Sequence, residues 1–521
     1  MSRTAVPAPG PPDPAPAPAP PDPAPAPAPP DPAPAPAPPD DDKFHEECGV
    51  FGVWNAPDAA ALTALALHAL QHRGQEATGI VSYDGQDFHT EKGLGLVGEV
   101  FDDAQVVAAL KGFCAIGHNR YATTGETILR NVQPLYAEFE FGGFAVAHNG
   151  NLVNAEVLRR RLVRRGCLFQ STMDSEVFIH LIARSEQRTV VARLIDALKQ
   201  AEGAYSLVAL GTEALIGVRD PLGVRPLILG RIDLPATGTA WVLASETCAL
   251  DIVGAEFVRD IEPAEIVVID DSGVRSIKPF AAAPPRFCVF EYIYFARPDS
   301  VMEGMPVYEA RKAIGAQLAR ESPVDADVVV PVPDSGVPAA MGFARESGIK
   351  FDFGIIRNHY VGRTFIEPTE HIRNLGVKMK HSANRAVLHG QRVILVDDSI
   401  VRGTTSRKIV EMVRAAGARE VHMRISSPPT THSCFYGIDT PEQGKLLAHK
   451  HDVAAMAKLI GADSLAFISI DGLYHALGRS KRDPGKPYFC DACFTGDYPV
   501  PPEGREAEAG PQLSLLAEMN A

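Results

Sequence analysis

Ordered alternation of apolar and polar positions starts at Glu46-Glu47-Cys48-Gly49-Val50-Phe51-Gly52, where it reads as a strand. From there to about residue 270, short β-like runs at 144–148, 204–210, 241–244 and 265–269 are interleaved with helical periodicity over 60–72 and 154–165. Such a mixture predicts stacked sheets covered by helices, an α+β layered domain. After Pro284-Pro285 the pattern changes. Continuous apolar strands at 328–332, 393–396 and 465–470 alternate with helices at 337–346 and 405–416, as expected for a parallel α/β sheet buried on both faces. We therefore expect two domains of different class in tandem, at 48–284 and 285–500, followed by a fraying tail at 501–521.

Residues 1–47 carry no such pattern. They repeat Asp-Pro-Ala-Pro-Ala-Pro-Ala-Pro-Pro from Asp13, Asp22 and Asp31 and run into Asp40 to Asp42. With nothing to bury and half its backbone donors removed by proline, this stretch is expected to be an extended, solvated leader, here read as a propeptide. The chain has 521 residues, of which 45% are hydrophobic, enough for two cores. A net charge of −14 argues against nucleic acid or an anionic membrane as the main partner. No apolar run reaches the roughly 20 residues needed to span a bilayer, and no secretory signal is present, so a cytoplasmic enzyme is expected. Eight cysteines are too few and too scattered for a disulfide scaffold.

The strongest local motif is Val393-Ile394-Leu395-Val396-Asp397-Asp398-Ser399-Ile400-Val401-Arg402-Gly403-Thr404-Thr405. A buried strand ends in two carboxylates, and a small, hydroxyl-rich turn then opens a helix. Backbone N–H groups and hydroxyls of Ser399, Gly403, Thr404 and Thr405 at a helix amino terminus suit a phosphate. Asp397 and Asp398 suit ribose hydroxyls or Mg²⁺. Two acids and a glycine alone would be only a helix cap. A second strand-to-helix turn, Pro331-Val332-Pro333-Asp334-Ser335-Gly336-Val337, is a further phosphate candidate, and a basic stretch runs from Arg357 through Arg363 to Lys378, Lys380 and Arg385.

In the first half, His72-Arg73-Gly74-Gln75-Glu76, Gly117-His118-Asn119-Arg120-Tyr121-Ala122-Thr123-Thr124-Gly125, Ala147-His148-Asn149-Gly150-Asn151 and Asp174-Ser175-Glu176 follow Cys48 in that order. Were processing to expose Cys48, its α-amine could serve as base for its own thiol. Alone, Cys48 would be a small buried hydrophobe, and His-Asn-Gly a tight turn.

The run around Asp397 resembles the 5-phosphoribosyl-1-pyrophosphate (PRPP) motif of type I phosphoribosyltransferases. That resemblance implies a site of Asp397, Asp398, Ser399, Gly403, Thr404 and Thr405. It adds Ser335, with Asp397 and Asp398, toward one Mg²⁺ per subunit, and Arg363 on a closing loop. The first-half motifs resemble class II glutamine amidotransferase domains, whose fold is the N-terminal-nucleophile αββα sandwich. Cys48 is then the nucleophile. Arg120 binds the glutamine carboxylate as a fork, and Asp174 takes the ammonium. Arg73 and Tyr121 shape the pocket, and Asn149 and Gly150 form the oxyanion hole. The two domains in this order, with Phe290-Glu291-Tyr292-Ile293-Tyr294-Phe295-Ala296-Arg297-Pro298-Asp299 between them, are similar to the PRPP amidotransferase family. Membership implies glutamine and PRPP as substrates, ammonia transfer to give 5-phosphoribosylamine, the first committed step of purine synthesis, inhibition by purine nucleotides, and a homotetramer.

Tyr488-Phe489-Cys490-Asp491-Ala492-Cys493-Phe494 holds a C-x-x-C pair, which is not by itself a metal site. One branch of the family carries a four-iron, four-sulfur (4Fe–4S) cluster, one per subunit, and the resemblance implies Cys248, Cys434, Cys490 and Cys493 as its ligands. Zinc in a Cys₄ site or unligated thiols are the alternatives. Cys114, Cys167 and Cys288 are expected to be buried packing residues. A PRPP-binding regulator with an inactive glutaminase half, or a transferase acting on a purine base, stays open from sequence.

Overall fold

The computed structural model describes residues 48–121, 127–235, 238–281, 283–358 and 381–501, all within one compact unit. The expected leader, the tail beyond Pro501, and Arg363, Lys378 and Lys380 lie outside the described residues, as do Ala122 to Gly125 of the glutaminase motif.

Two antiparallel sheets stack in the first half. One has the strand order Glu256–Asp260, Ile228–Leu234, Gly238–Ala244, Gly49–Trp54, Cys114–Arg120, Ala77–Tyr83, Phe88–Leu94. The other runs Gly273–Ile277, Ile266–Asp270, Leu215–Arg219, Gly203–Gly211, Gly142–Leu152, Leu135–Phe139. The interior strand Gly49–Trp54 is buried at every residue, because one face meets helices and the other meets the second sheet. That explains why its sequence is apolar throughout and not strictly alternating. Val50, Ile116, Val208 and Leu243 fill the space between the sheets. Gly52 permits their close approach, since a Cβ there would sit 2.6 Å from Val208 Cγ1. Helices Ala59–Ala69 and Thr247–Val253 cover the first sheet, and helices Ala155–Arg164, Glu176–Arg184 and Val190–Leu198 cover the second. The layers are thus αββα, as expected.

In the second half, strands Val328–Pro331, Arg392–Asp397, Glu420–Ile425 and Ser464–Phe467 form a parallel sheet in that order. Helices Val337–Ser347 and Thr404–Ala415 follow the first two strands directly. The halves are packed together: Ala204 and Val224 from the first share a buried cluster with Phe290, Ile293 and Tyr436 from the second. Among the described residues no helix is long and apolar enough to cross a membrane.

Candidate active sites and the cysteine pocket

Cys48 stands just before the strand that pairs Gly49 with Asn119, which puts it across from Arg120 at the end of the next strand. It is buried, with Sγ 3.7 Å from the Tyr121 carbonyl oxygen. Burial pushes its thiol up to about 11, although the Tyr121 contact and Arg120 work the other way. A nucleophile held as a thiol at neutral pH needs a base close by.

Arg120 and Asp174 both lie near enough to act electrostatically on Cys48. Asp174 is itself buried, which disfavours its charge. His148, the Leu152 N–H at 3.0 Å and Ser175 nevertheless hold it below the usual carboxylate range. The Leu152 bond ties it to the strand that carries Asn149 and Gly150. Asn149 is fully buried, and neither its amide nitrogen nor its oxygen has a hydrogen-bond partner among the described residues. A buried amide left unsatisfied costs roughly 1–3 kcal/mol. Such an expense is understandable at a position awaiting a ligand. Gly150 has φ +136°, and a Cβ there would meet the Ala204 oxygen at 2.1 Å, so only glycine fits. Gln133, which the motifs did not single out, accepts the His148 N–H through Oε1 at 2.9 Å and braces the same strand.

Arg73 packs against Gly49, next to Cys48, and is anchored in a buried ion network. Its Nε donates to Glu246, and its Nη2 to Glu291 Oε2 at 2.6 Å, with all three side chains buried. Glu246 also accepts from Ser300 Oγ at 2.7 Å and the Arg297 N–H at 2.9 Å, so the network spans both halves. Burial alone would raise Glu246, but Arg73 and His72 hold it far below the usual range. Sequence reasoning missed Glu246 because a single acid before Thr247 has no local signature.

In the second half, strands Val328–Pro331 and Arg392–Asp397 are parallel neighbours with Pro331 beside Val396. Their two following turns are therefore adjacent. Ser335 Oγ donates to Asp398 Oδ1 at 2.5 Å, and Ser399 Oγ to Asp398 Oδ2 at 2.6 Å. Asp397 and Asp398 are both buried at the strand end. Gly403, at φ +84°, caps helix Thr404–Ala415, so the turn opens on a helix amino terminus, the kind of place that suits an anion. Asp334 pairs with Arg357, where the basic stretch begins.

The cysteine set predicted for a cluster is corrected by one member. Cys434, Cys490 and Cys493 line a common pocket, but the fourth cysteine in its wall is Cys288. Strands Phe287–Cys288 and Phe489–Cys490 run parallel with Cys288 directly beside Cys490, a pairing invisible over two hundred residues of sequence. Cys248 lies elsewhere, on helix Thr247–Val253, with Sγ 3.9 Å from the Ala69 oxygen and packed on the first sheet. Burial and neighbouring thiols push Cys490 and Cys493 well up, as expected for thiols that ionise only when a cation joins them. Among the described residues no three His, Cys, Asp or Glu side chains close in on a single ion. Zinc would draw its sulfurs to within about 3.8 Å of one another. The Cys₄ donor set by itself admits either zinc or an iron–sulfur core, whereas Mg²⁺ characteristically takes only one or two carboxylates and completes its sphere with substrate phosphate and water.

Fold and sites thus define a glutaminase half fused to a phosphoribosyl-transferring half. Residues 118–251 match the glutamine amidotransferase domain model, and residues 299–426 the phosphoribosyl transferase domain model. An amidophosphoribosyltransferase of Rhizobium etli is 59% identical over 91% of this chain and 96% of its own length, and one of Bacillus subtilis is 49% identical over 88% and 94%. The structure of the glutamine PRPP amidotransferase from B. subtilis complexed with ADP and GMP superposes with TM-score 0.82, at 47% identity, covering 88% of this chain and 98% of that one. The chain belongs to the amidophosphoribosyltransferase family.

Proposed function

We propose that the mature protein begins at Cys48 and makes 5-phosphoribosylamine from PRPP with ammonia taken from glutamine. In the first stage the free α-amine accepts the Cys48 proton and Sγ attacks the glutamine amide carbon. Arg120 pairs with the substrate carboxylate, and Asp174 and Tyr121 line the remainder of the pocket. The tetrahedral oxyanion is held by the Asn149 amide and the Gly150 N–H. The C–N bond breaks, the proton passes to the leaving ammonia, and water then clears the thioester as glutamate. In the second stage ammonia attacks C1 of PRPP, the C1–O bond to pyrophosphate breaks and a proton is released. The turn of Ser399, Gly403, Thr404 and Thr405 holds the 5′-phosphate, Asp397 and Asp398 face the ribose, and Arg363 contributes positive charge toward PRPP. When bound by Ser335, Asp397 and Asp398, Mg²⁺ supplies charge neutralisation for the leaving pyrophosphate.

The unsatisfied Asn149 amide beside Gly150 is the observation that carries the glutaminase assignment. Cys288, Cys434, Cys490 and Cys493 would hold a 4Fe–4S cluster, whose role is structural because neither half-reaction moves electrons. We further infer a cytoplasmic homotetramer inhibited by purine nucleotides; the ADP and GMP with which the B. subtilis relative is complexed support the inhibition.

The test is amino-terminal sequencing of the purified chain together with PRPP-dependent glutamate release. An active chain starting elsewhere than Cys48 would overturn the mechanism. Cys48→Ser is expected to abolish glutamine-dependent synthesis while ammonia-dependent synthesis continues.

A further inference from the structure

The strand carrying Asn149 and Gly150 pairs to its end with Gly203–Gly211 of its own half, and it also meets the other half. Residues 434–437 of the phosphoribosyltransferase half lie against it. Asn151, next to Gly150, donates from Nδ2 to the Phe435 carbonyl at 2.9 Å. Gly437 has φ +111°, and a Cβ built there would stand 3.0 Å from Gly150 Cα and 3.1 Å from its carbonyl carbon. Two glycines from different halves therefore meet backbone to backbone at the point where an oxyanion donor must be aimed. Behind them, buried Arg225 donates to the Tyr436 carbonyl through Nε at 2.8 Å and Nη2 at 2.7 Å. The Tyr436 N–H in turn points at Cys434 Sγ, 3.3 Å away.

We propose that the loop Phe435–Gly437 is the back wall of the oxyanion hole, and that Asn151 and Gly437 are positioning residues for glutamine hydrolysis. The inference rests on the assignment of Asn149 and Gly150 to that hole. The Gly150 N–H direction follows from its backbone dihedrals. The pairing with Gly203–Gly211 holds one side of the strand, and the Asn151 bond and the close Gly437 contact add a restraint from the other half. The glutaminase half is then complete only when the second half is docked on it, so any event that shifts the Cys434-bearing loop alters the rate of hydrolysis and not the affinity for glutamine.

The test uses the full processed enzyme with four substitutions. Gly437→Ala and Asn151→Asp are each expected to lower kcat for glutaminase by about 10- to 100-fold, the scale of a misaimed donor. The KM for glutamine should stay within about twofold, because uniform binding is untouched. Ammonia-dependent synthesis should be retained, which separates the effect from unfolding. Gly444→Ala is the control, since a Cβ there meets nothing within 4 Å. Unchanged glutaminase kcat in both Gly437→Ala and Asn151→Asp, or a loss expressed wholly in KM, would overturn the proposal. If Gly437→Ala does not fold, Asn151→Asp decides alone. Asn149→Ala tests the underlying assignment separately: should it keep full glutaminase activity, the oxyanion hole lies elsewhere, whereas its loss beside intact Gly437→Ala and Asn151→Asp activity would sink only the positioning role.

Discussion

At the residue scale, Cys48 has two properties that pull against each other. It must ionise to react, and its burial pushes the thiol up to about 11. An α-amine titrating at about 8 resolves the conflict if it is the base. In the processed chain, alkylation of Cys48 by iodoacetamide is expected to rise with the amine, half-maximal near pH ~8. A chain extended beyond Cys48 should react slowly until the pH approaches the thiol's own value. Equal profiles for the two forms would remove the amine from the mechanism. The cysteine pocket poses a second question at this scale. Cys288→Ser is expected to yield protein with reduced iron and weakened brown absorbance after anaerobic purification, and Cys248→Ser protein with both intact. The reverse outcome would restore the assignment made from sequence.

Elements were the most legible level. The strands expected at 144–148, 204–210 and 393–396 occur as Gly142–Leu152, Gly203–Gly211 and Arg392–Asp397, each longer than its apolar core because pairing extends past the residues that are buried hydrophobes. The helix expected at 60–72 ends at Ala69, and Gln71–Arg73 tightens into a 3₁₀ turn that presents Arg73 to Glu246. Gly403 shows why the PRPP-type turn could be read directly. A left-handed residue is needed between strand and helix, and a Cβ there would sit 2.6 Å from Leu447 Cδ2. Gly403→Val is expected to destabilise the chain by at least about 1 kcal/mol and to raise the KM for PRPP, measured by urea unfolding and initial rates. Wild-type values for both would mean that the turn is tolerant and the glycine incidental.

For the whole molecule, the buried group of Arg73, Glu246 and Glu291, with Arg225 3.5 Å from Glu291, links the two halves. Removing one member leaves charge uncompensated, so Glu246→Gln is expected to cost about 3–5 kcal/mol in urea unfolding. Because Glu246 ionises far more readily folded than unfolded, its contribution is present above the ordinary glutamate value of about 4.3 and is lost as pH falls below it. His118 acts in the same direction. Burial lowers it to about 3, so its share is complete above its ordinary value of 6.5 and declines as the medium acidifies. Wild-type stability should therefore drop steeply on acidification below about pH 4.3, and Glu246→Gln should flatten that drop. An unaltered slope would show that the network does not couple folding to protons. By itself the sequence determined the two fold classes, the PRPP-type turn and the order of the glutaminase motifs, since each depends on residues close together in the chain, where periodicity and turn chemistry are local. Only the tertiary structure decided that Arg73 belongs to a buried ion network, that Cys288 and not Cys248 joins the other cysteines, and that Gly437 backs Gly150. Those facts come from strand pairing and domain docking between segments far apart in the chain, and no local pattern records such a pairing.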